Sequence, residues 1–272
     1  MHSKLRFVSA LVVLSFGLAL HLRASEPAFE LQKTWKLGGE GSWDYMAVDP
    51  ASHILYIARL NRIMLVDLQS GKVVTEITSL THAHGIAFDD QGTVGYISDG
   101  GAGKVLAFDR ATHKILATIP AGKNPDSVLF EPTQHRVFAF NGGSHDATVI
   151  DAATTSVITT IPMPGKPEFS VTDGAGNVFV NIEDSSVVLR LDAATLKTTA
   201  SWPLDPGETP SGLAIDTAGR RLFSVCDNNK MSFSTARPAT LSQLPRLAMV
   251  RMPLPSIRRT ISSSVPTERA AP

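Results

Sequence analysis

The sequence predicts an all-β fold, a β-propeller of four-stranded antiparallel blades, on the strength of three observations. Acidic residues Asp49, Asp89, Glu131, Asp173 and Asp216 each close a short apolar run, at spacings of 40, 42, 42 and 43 residues. A second series, Asp67, Asp109, Asp151 and Asp192, follows another apolar run at spacings of 42, 42 and 41. Within each period four short strands alternate with turn residues, and helix-period stretches are absent. Four strands in a repeat of this length match a propeller blade. A β-sandwich requires no such repeat, and the solenoids need a helix or a much shorter period.

The second unit shows the strands in order. Gly85-Ile86-Ala87-Phe88 is the first and Gly95-Tyr96-Ile97-Ser98 the second. Lys104-Val105-Leu106-Ala107-Phe108 is the third, and the fourth runs from Lys114 to Ile119. Asp109-Arg110-Ala111-Thr112-His113 joins the last two, and the same joint recurs after Asp67, Asp151 and Asp192. An Asp that opens a hairpin bonds the backbone two residues on, so these four are turn formers.

Hydrophobic residues make up 43 % of the 272-residue chain, enough for a sizeable core. Lys+Arg and Asp+Glu are both 25, and this balance excludes nucleic-acid binding by bulk charge. Residues 1–24 read as a secretory signal peptide: a basic start, an apolar run over residues 7–22 and a small-residue cleavage site at Ala24. That run is short for a bilayer span, no later segment is long enough, and the mature chain is expected in the periplasm or outside the cell. The single cysteine, Cys226, excludes an internal disulfide and sits in an apolar strand, where a buried inert thiol is expected.

The repeats resemble the YVTN-repeat β-propeller family (YncE-like exported proteins) over residues 29–231. Its name-giving motif lies on the second strand, where this chain reads Tyr56-Ile57-Ala58-Arg59, Tyr96-Ile97-Ser98-Asp99, Phe138-Ala139-Phe140-Asn141, Phe179-Val180-Asn181-Ile182 and Phe223-Ser224-Val225-Cys226. None is a literal match, although an aromatic residue opens each. The segment from Asn124 to Pro132 is the most family-like. The resemblance implies a binding or scaffold propeller, with about five blades visible of an expected seven.

After Met231 the pattern stops. Residues 232–272 contain no Gly, six Pro and six Arg against the single acid Glu268, so they read as a disordered or frameshifted tail. Read one base out of frame, the codons of residues 248–258 permit a Pro-Asp…Phe-Asp-Pro phrase like that of residues 125–132, about one period after Asp216. At the other end, residues 30–37 align with a fourth strand whose own blade does not precede it. Residues 25–231 are therefore assigned to blades, with an unpaired edge, and a monomer is expected.

Five positions before each closing acid lies a series that should ring one mouth of the central channel: Asp44, His84, Asp126, Glu168 and Ser211. Carboxylates converging with an imidazole suit a divalent cation or a cationic ligand; the blander reading is that each caps its own loop. His82 and His84 share a strand face but lack a visible third zinc ligand. Trp43 is expected beside the mouth or between blades, and Trp35 and Trp202 on fourth strands. The Gly pair in Asn141-Gly142-Gly143-Ser144-His145-Asp146 has no helix behind it to support a phosphate site, and no nucleophile elbow is present.

The function expected is a ligand-binding or protein-interaction scaffold taking an unknown small molecule or protein at the channel mouth, with no catalytic residues and no cofactor beyond that divalent cation. The alternative is a metal-assisted, lactonase-like hydrolase using Asp44, Asp126 and Glu168 as ligands and His84 as base.

Overall fold

The computed structural model describes residues 31–235 and 248–251, and among them the only helical turn is a single 3-10 turn. The whole of the expected signal peptide and the rest of the expected tail lie outside the described residues. The described residues from Leu37 onward form one compact unit. It contains five sheets, each of four consecutive antiparallel strands joined in chain order. No helix among the described residues is long and apolar enough to cross a membrane.

The first blade comprises β1 (Met46–Asp49), β2 (Ile54–Arg59), β3 (Arg62–Asp67) and β4 (Val73–Ile77). The second comprises β5 (Ala83–Phe88), β6 (Val94–Asp99), β7 (Lys104–Asp109) and β8 (Ile115–Pro120). The third comprises β9 (Pro125–Glu131), β10 (Arg136–Asn141), β11 (Asp146–Asp151) and β12 (Ser156–Pro162). The fourth comprises β13 (Pro167–Thr172), β14 (Asn177–Ile182), β15 (Val187–Asp192) and β16 (Lys197–Pro203). The fifth comprises β17 (Pro210–Asp216), β18 (Arg221–Cys226), β19 (Lys230–Thr235) and β20 (Ala248–Arg251). β19 thus runs past Met231, and β20 pairs with it from within the segment assigned to the tail. No strand forms over residues 31–37, where a fourth strand was expected; the blade before it is absent from the described residues, so its edge has nothing to pair with.

The blades pack face to face, so both faces of a strand are apolar. Tyr56, Leu65 and Ile77 of the first blade meet Ile97, Leu106 and Phe108 of the second. Tyr96, Val105 and Ala107 then meet Val128, Val137 and Ile150. Phe138, Phe140 and Val149 meet Val180, Leu189 and Leu191. Phe179, Val188 and Trp202 meet Leu213, Leu222 and Cys226. Burial pushes the Cys226 thiol up, as an inert thiol requires.

The aspartates spaced one period apart do form the turns. Asp109 Oδ1 accepts from the Thr112 amide at 2.6 Å and Asp192 Oδ1 from the Thr195 amide at 2.7 Å; Asp67 and Asp151 do the same to Ser70 and Thr154. Those bonds favour the charged form and lower all four carboxyls. Between the first two blades, Arg110 reaches Asp49 at 2.7 Å and Asp89 at 3.3 Å while its guanidinium lies over the Phe88 ring.

Candidate functional site

The innermost strands β5, β9, β13 and β17 lie side by side in blade order, so residues of one register converge near the axis. In each of these four strands the pairing with its neighbour shifts register at the same place. The shifts fall between Ala83 and Ile86, across residues 126–127, between Pro167 and Ser170, and between Pro210 and Gly212. His84, Asp126, Glu168 and Ser211 are thus bulge residues, and a bulge re-aims its side chain away from the alternation of the strand. The bulge of the second blade also brings two chains close together. A Cβ on Gly85 would stand 2.9 Å from the Asp126 carbonyl oxygen and from the Val128 nitrogen. Ser98 Oγ links these segments, accepting from the Gly85 amide at 2.7 Å and donating to the Asp126 carbonyl at 2.5 Å.

Asp44 precedes β1, where its amide donates to the Ala58 carbonyl at 3.0 Å. Its Oδ2 meets His84 Nδ1 at 2.5 Å, and Asp126 Oδ1 lies 3.7 Å from the same nitrogen. One ligand atom from each of the three residues falls within 4.8 Å of the other two, a grouping suited to a metal ion. Three successive blades therefore contribute one residue each.

Glu168 joins from the fourth blade through Tyr45, a residue the sequence reading did not single out. The Tyr45 hydroxyl donates to Glu168 Oε1 at 3.3 Å, and its ring meets Phe169 edge-on at 4.8 Å. Lys166 lies 3.7 Å from Glu168 Oε2 and bonds Glu183. Ser211, the fifth expected member, has no hydrogen bond to the other four among the described residues. Below this polar layer is a cavity of about 250 Å³ whose walls include Tyr45, Ile86, Leu129 and Phe169. Ser127 and Ser170, also in its walls, bond each other at 2.6 Å between hydroxyls.

The electrostatics of the group are those of carboxylates with too little positive charge. Burial, then repulsion from Asp126, pushes the Glu168 carboxyl up to about 7. Burial likewise raises Asp126, against the pull of His84. For His84 burial alone favours the neutral ring, but the Asp44 hydrogen bond and the Asp126 and Asp44 charges outweigh it and raise the imidazole. Burial and the three surrounding carboxylates raise the Tyr45 hydroxyl, which stays protonated and donates. Two buried atoms of the group, His84 Nε2 and Glu168 Oε2, make no well-formed hydrogen bond.

Other candidates fare differently. His82 lies beside His84 with ring centroids 4.3 Å apart and the rings tilted by 40°, but it belongs to no metal-binding group among the described residues. Trp43 is not packed as expected: it is 72 % exposed. Trp202 is buried on β16 against Phe179, as a fourth-strand position requires.

No protein-family model matches the chain, and no curated protein matches its sequence. Solved structures do resemble its fold. The chain is similar to a hydrazine synthase of Kuenenia stuttgartiensis, at TM-score 0.66 and 14 % identity over 83 % of this chain and 70 % of that one. It is similar to the Cps50 (Swd1) β-propeller domain of Myceliophteria thermophila, at TM-score 0.64 and 14 % identity over 79 % and 72 %. The WD40 repeats of RRP9 align at TM-score 0.66 and 12 % identity over 73 % and 62 %. At these identities the likeness establishes the β-propeller fold and nothing finer.

Proposed function

We propose that the chain is an exported binding scaffold of the YVTN-repeat type, which takes the positively charged group of a ligand or protein partner at the channel mouth. The observation that carries this reading is the convergence of Asp44, Asp126 and Glu168 from three blades around His84 and Tyr45, with Glu168 held near pH 7. A cation placed there relieves carboxylate repulsion and replaces lost solvation. Either a divalent metal or a lysine- or arginine-type head group supplies that charge, and the cavity beneath accepts a short apolar stem. The Cps50 and RRP9 structures are of β-propeller or WD40 domains, which agrees with a scaffold role.

The hydrolase alternative finds no support. The likeness to solved structures reaches only the fold, and Nδ1 of His84, the base that a metal-assisted mechanism would use, is taken by Asp44. Localisation in the periplasm or outside the cell follows from residues 1–24, and N-terminal sequencing of the mature product checks it.

Binding is tested by isothermal titration of the purified chain with Mn²⁺, Zn²⁺, Ca²⁺ and N-acetyl-arginine methylamide. At least one is expected to bind, with release of protons at pH 6–7, and Asp126→Asn is expected to weaken it tenfold or more. Silence of every probe, or full binding by Asp126→Asn, refutes the proposal.

A further inference from the structure

The front of one blade meets the rear of the next in a buried apolar seam. At the end of the inner strands away from the channel mouth, the first of these seams is closed by Arg110. Its guanidinium lies 4.9 Å from the centre of the Phe88 ring and pairs with Asp49 and Asp89.

The repeat makes Ala152 the counterpart of Arg110 in the next seam. The Arg110 amide donates to the Thr93 carbonyl and the Ala152 amide to the His135 carbonyl, both at 3.0 Å and both just before a second strand. Between the third and fourth blades the counterpart is Ala193, and Arg136 of β10 brings a guanidinium instead, bonding the Ala193 and Ala194 carbonyls. Between the second and third blades the counterparts of Arg110 and Arg136 are Ala152 and Val94, and neither carries a charge.

A pocket of about 330 Å³ stands in that place. Its walls repeat the surroundings of Arg110, with Phe130 where the first seam has Phe88, Asp89 where it has Asp49 and Tyr96 where it has Tyr56. The counterpart of the second carboxylate is Glu131, which is fully buried and accepts from the Thr133, Gln134 and Gly176 amides. Asp90 lines the rim instead, exposed and bonded to the Gln91 side chain at 3.2 Å. No Lys or Arg is among the described residues that line the pocket. An aromatic face attracts a cation, and a planar guanidinium stacks on it where a compact ammonium does not.

We propose that this pocket is a second binding site, which takes an arginine side chain of a protein partner and so completes the seam from outside as Arg110 completes its neighbour from within. It is separate from the channel mouth, since Asp126 stands near the start of β9 and Phe130 near its other end.

Isothermal titration with N-acetyl-arginine methylamide tests the proposal in the Asp126→Asn chain, which lacks a carboxylate of the mouth but keeps the pocket. One equivalent is expected to bind, and N-acetyl-lysine methylamide about fivefold more weakly. Adding Ala152→Arg places a guanidinium in the pocket from within. That variant is expected to lose the binding and to melt about 2–4 °C higher. Asp90→Lys, at an exposed position, is expected to weaken binding about tenfold or more through like-charge repulsion, and it carries the test if Ala152→Arg does not fold. Loss of all arginine binding in the Asp126→Asn chain overturns the pocket and leaves the mouth reading standing. Undiminished binding by Ala152→Arg or Asp90→Lys, equal affinity for the lysine probe, or a folded Ala152→Arg that melts lower also overturns it.

Discussion

Replacing Glu168 with glutamine keeps the shape of the side chain and removes the charge that the site penalises. Burial and the neighbouring Asp126 raise its carboxyl from an ordinary 4.5 to about 7. Between those values the folded chain holds a proton that the unfolded chain has released, so stability falls as pH rises through that window. At about 1.36 kcal/mol per pKa unit, the loss is complete above pH 7 and amounts to about 3 kcal/mol. Glutamine has no charge to desolvate and escapes the loss. Urea unfolding followed by circular dichroism is therefore expected to find the two proteins nearly equal at about pH 4.5 and Glu168→Gln more stable by about 3 kcal/mol at about pH 8. The same variant is expected to bind cations more weakly, which makes Glu168 a residue kept at a cost to stability. A difference that does not change with pH, or a variant less stable than the parent at about pH 8, refutes the reasoning.

Arg110→Ala strands the buried Asp49 and the half-buried Asp89 without their shared cation, and a loss of about 3 kcal/mol is expected in the same urea assay. Burial opposes the charge on both acids, but their hydrogen bonds, to Arg110 among others, outweigh it and lower both carboxyls. The stability they contribute is lost as pH falls through those lowered values, so the acid-unfolding midpoint of Arg110→Ala should move to higher pH; an unmoved midpoint contradicts this. Gly95→Ala places a Cβ inside the Phe108 ring, across the pair that joins β6 to β7. A loss of about 1–3 kcal/mol and a lower melting temperature are expected, and a neutral result would mean that the seam between the first two blades is loosely packed.

The blades were legible because their determinants are local. Asp67, Asp109, Asp151 and Asp192 each fix a hairpin by bonding backbone three residues on, and that chemistry leaves a periodic mark in one dimension. The aromatic residue opening each second strand, Tyr56 through Phe179, likewise fills the front of its seam and recurs at the same interval. Residues 31–37 misled because likeness to a fourth strand does not depend on whether a partner edge exists. A strand is a property of a pair, and composition cannot supply the neighbour. The fifth blade failed in the opposite sense. Residues 248–251 complete it despite lacking every repeat signal, since a fourth strand on the outer edge needs backbone pairing more than a particular side-chain pattern.

The ring was legible as a register and illegible as chemistry. Counting five residues back from each closing acid found Asp44, His84, Asp126 and Glu168, and the fold does carry them toward one axis. The count could not reveal that His84, Asp126, Glu168 and Ser211 stand on bulges, which is what turns them out of the strand alternation. A sequence signal for this did exist. Pro125, Pro167 and Pro210 immediately precede three of these residues at the repeat interval, and proline, having no amide to donate, belongs at a strand start or a bulge. Tyr45 left no such trace, because it belongs to no series. Its neighbour Asp44 reaches the adjacent blade while Tyr45 crosses to the fourth, adding a hydrogen bond to the repulsion that already couples Glu168 to Asp126. Repetition thus positions the groups, and a single non-repeated side chain adds a link across to the fourth blade. The proposed cation site is therefore expected to weaken when Tyr45 is replaced by phenylalanine, which removes the hydroxyl that bonds Glu168.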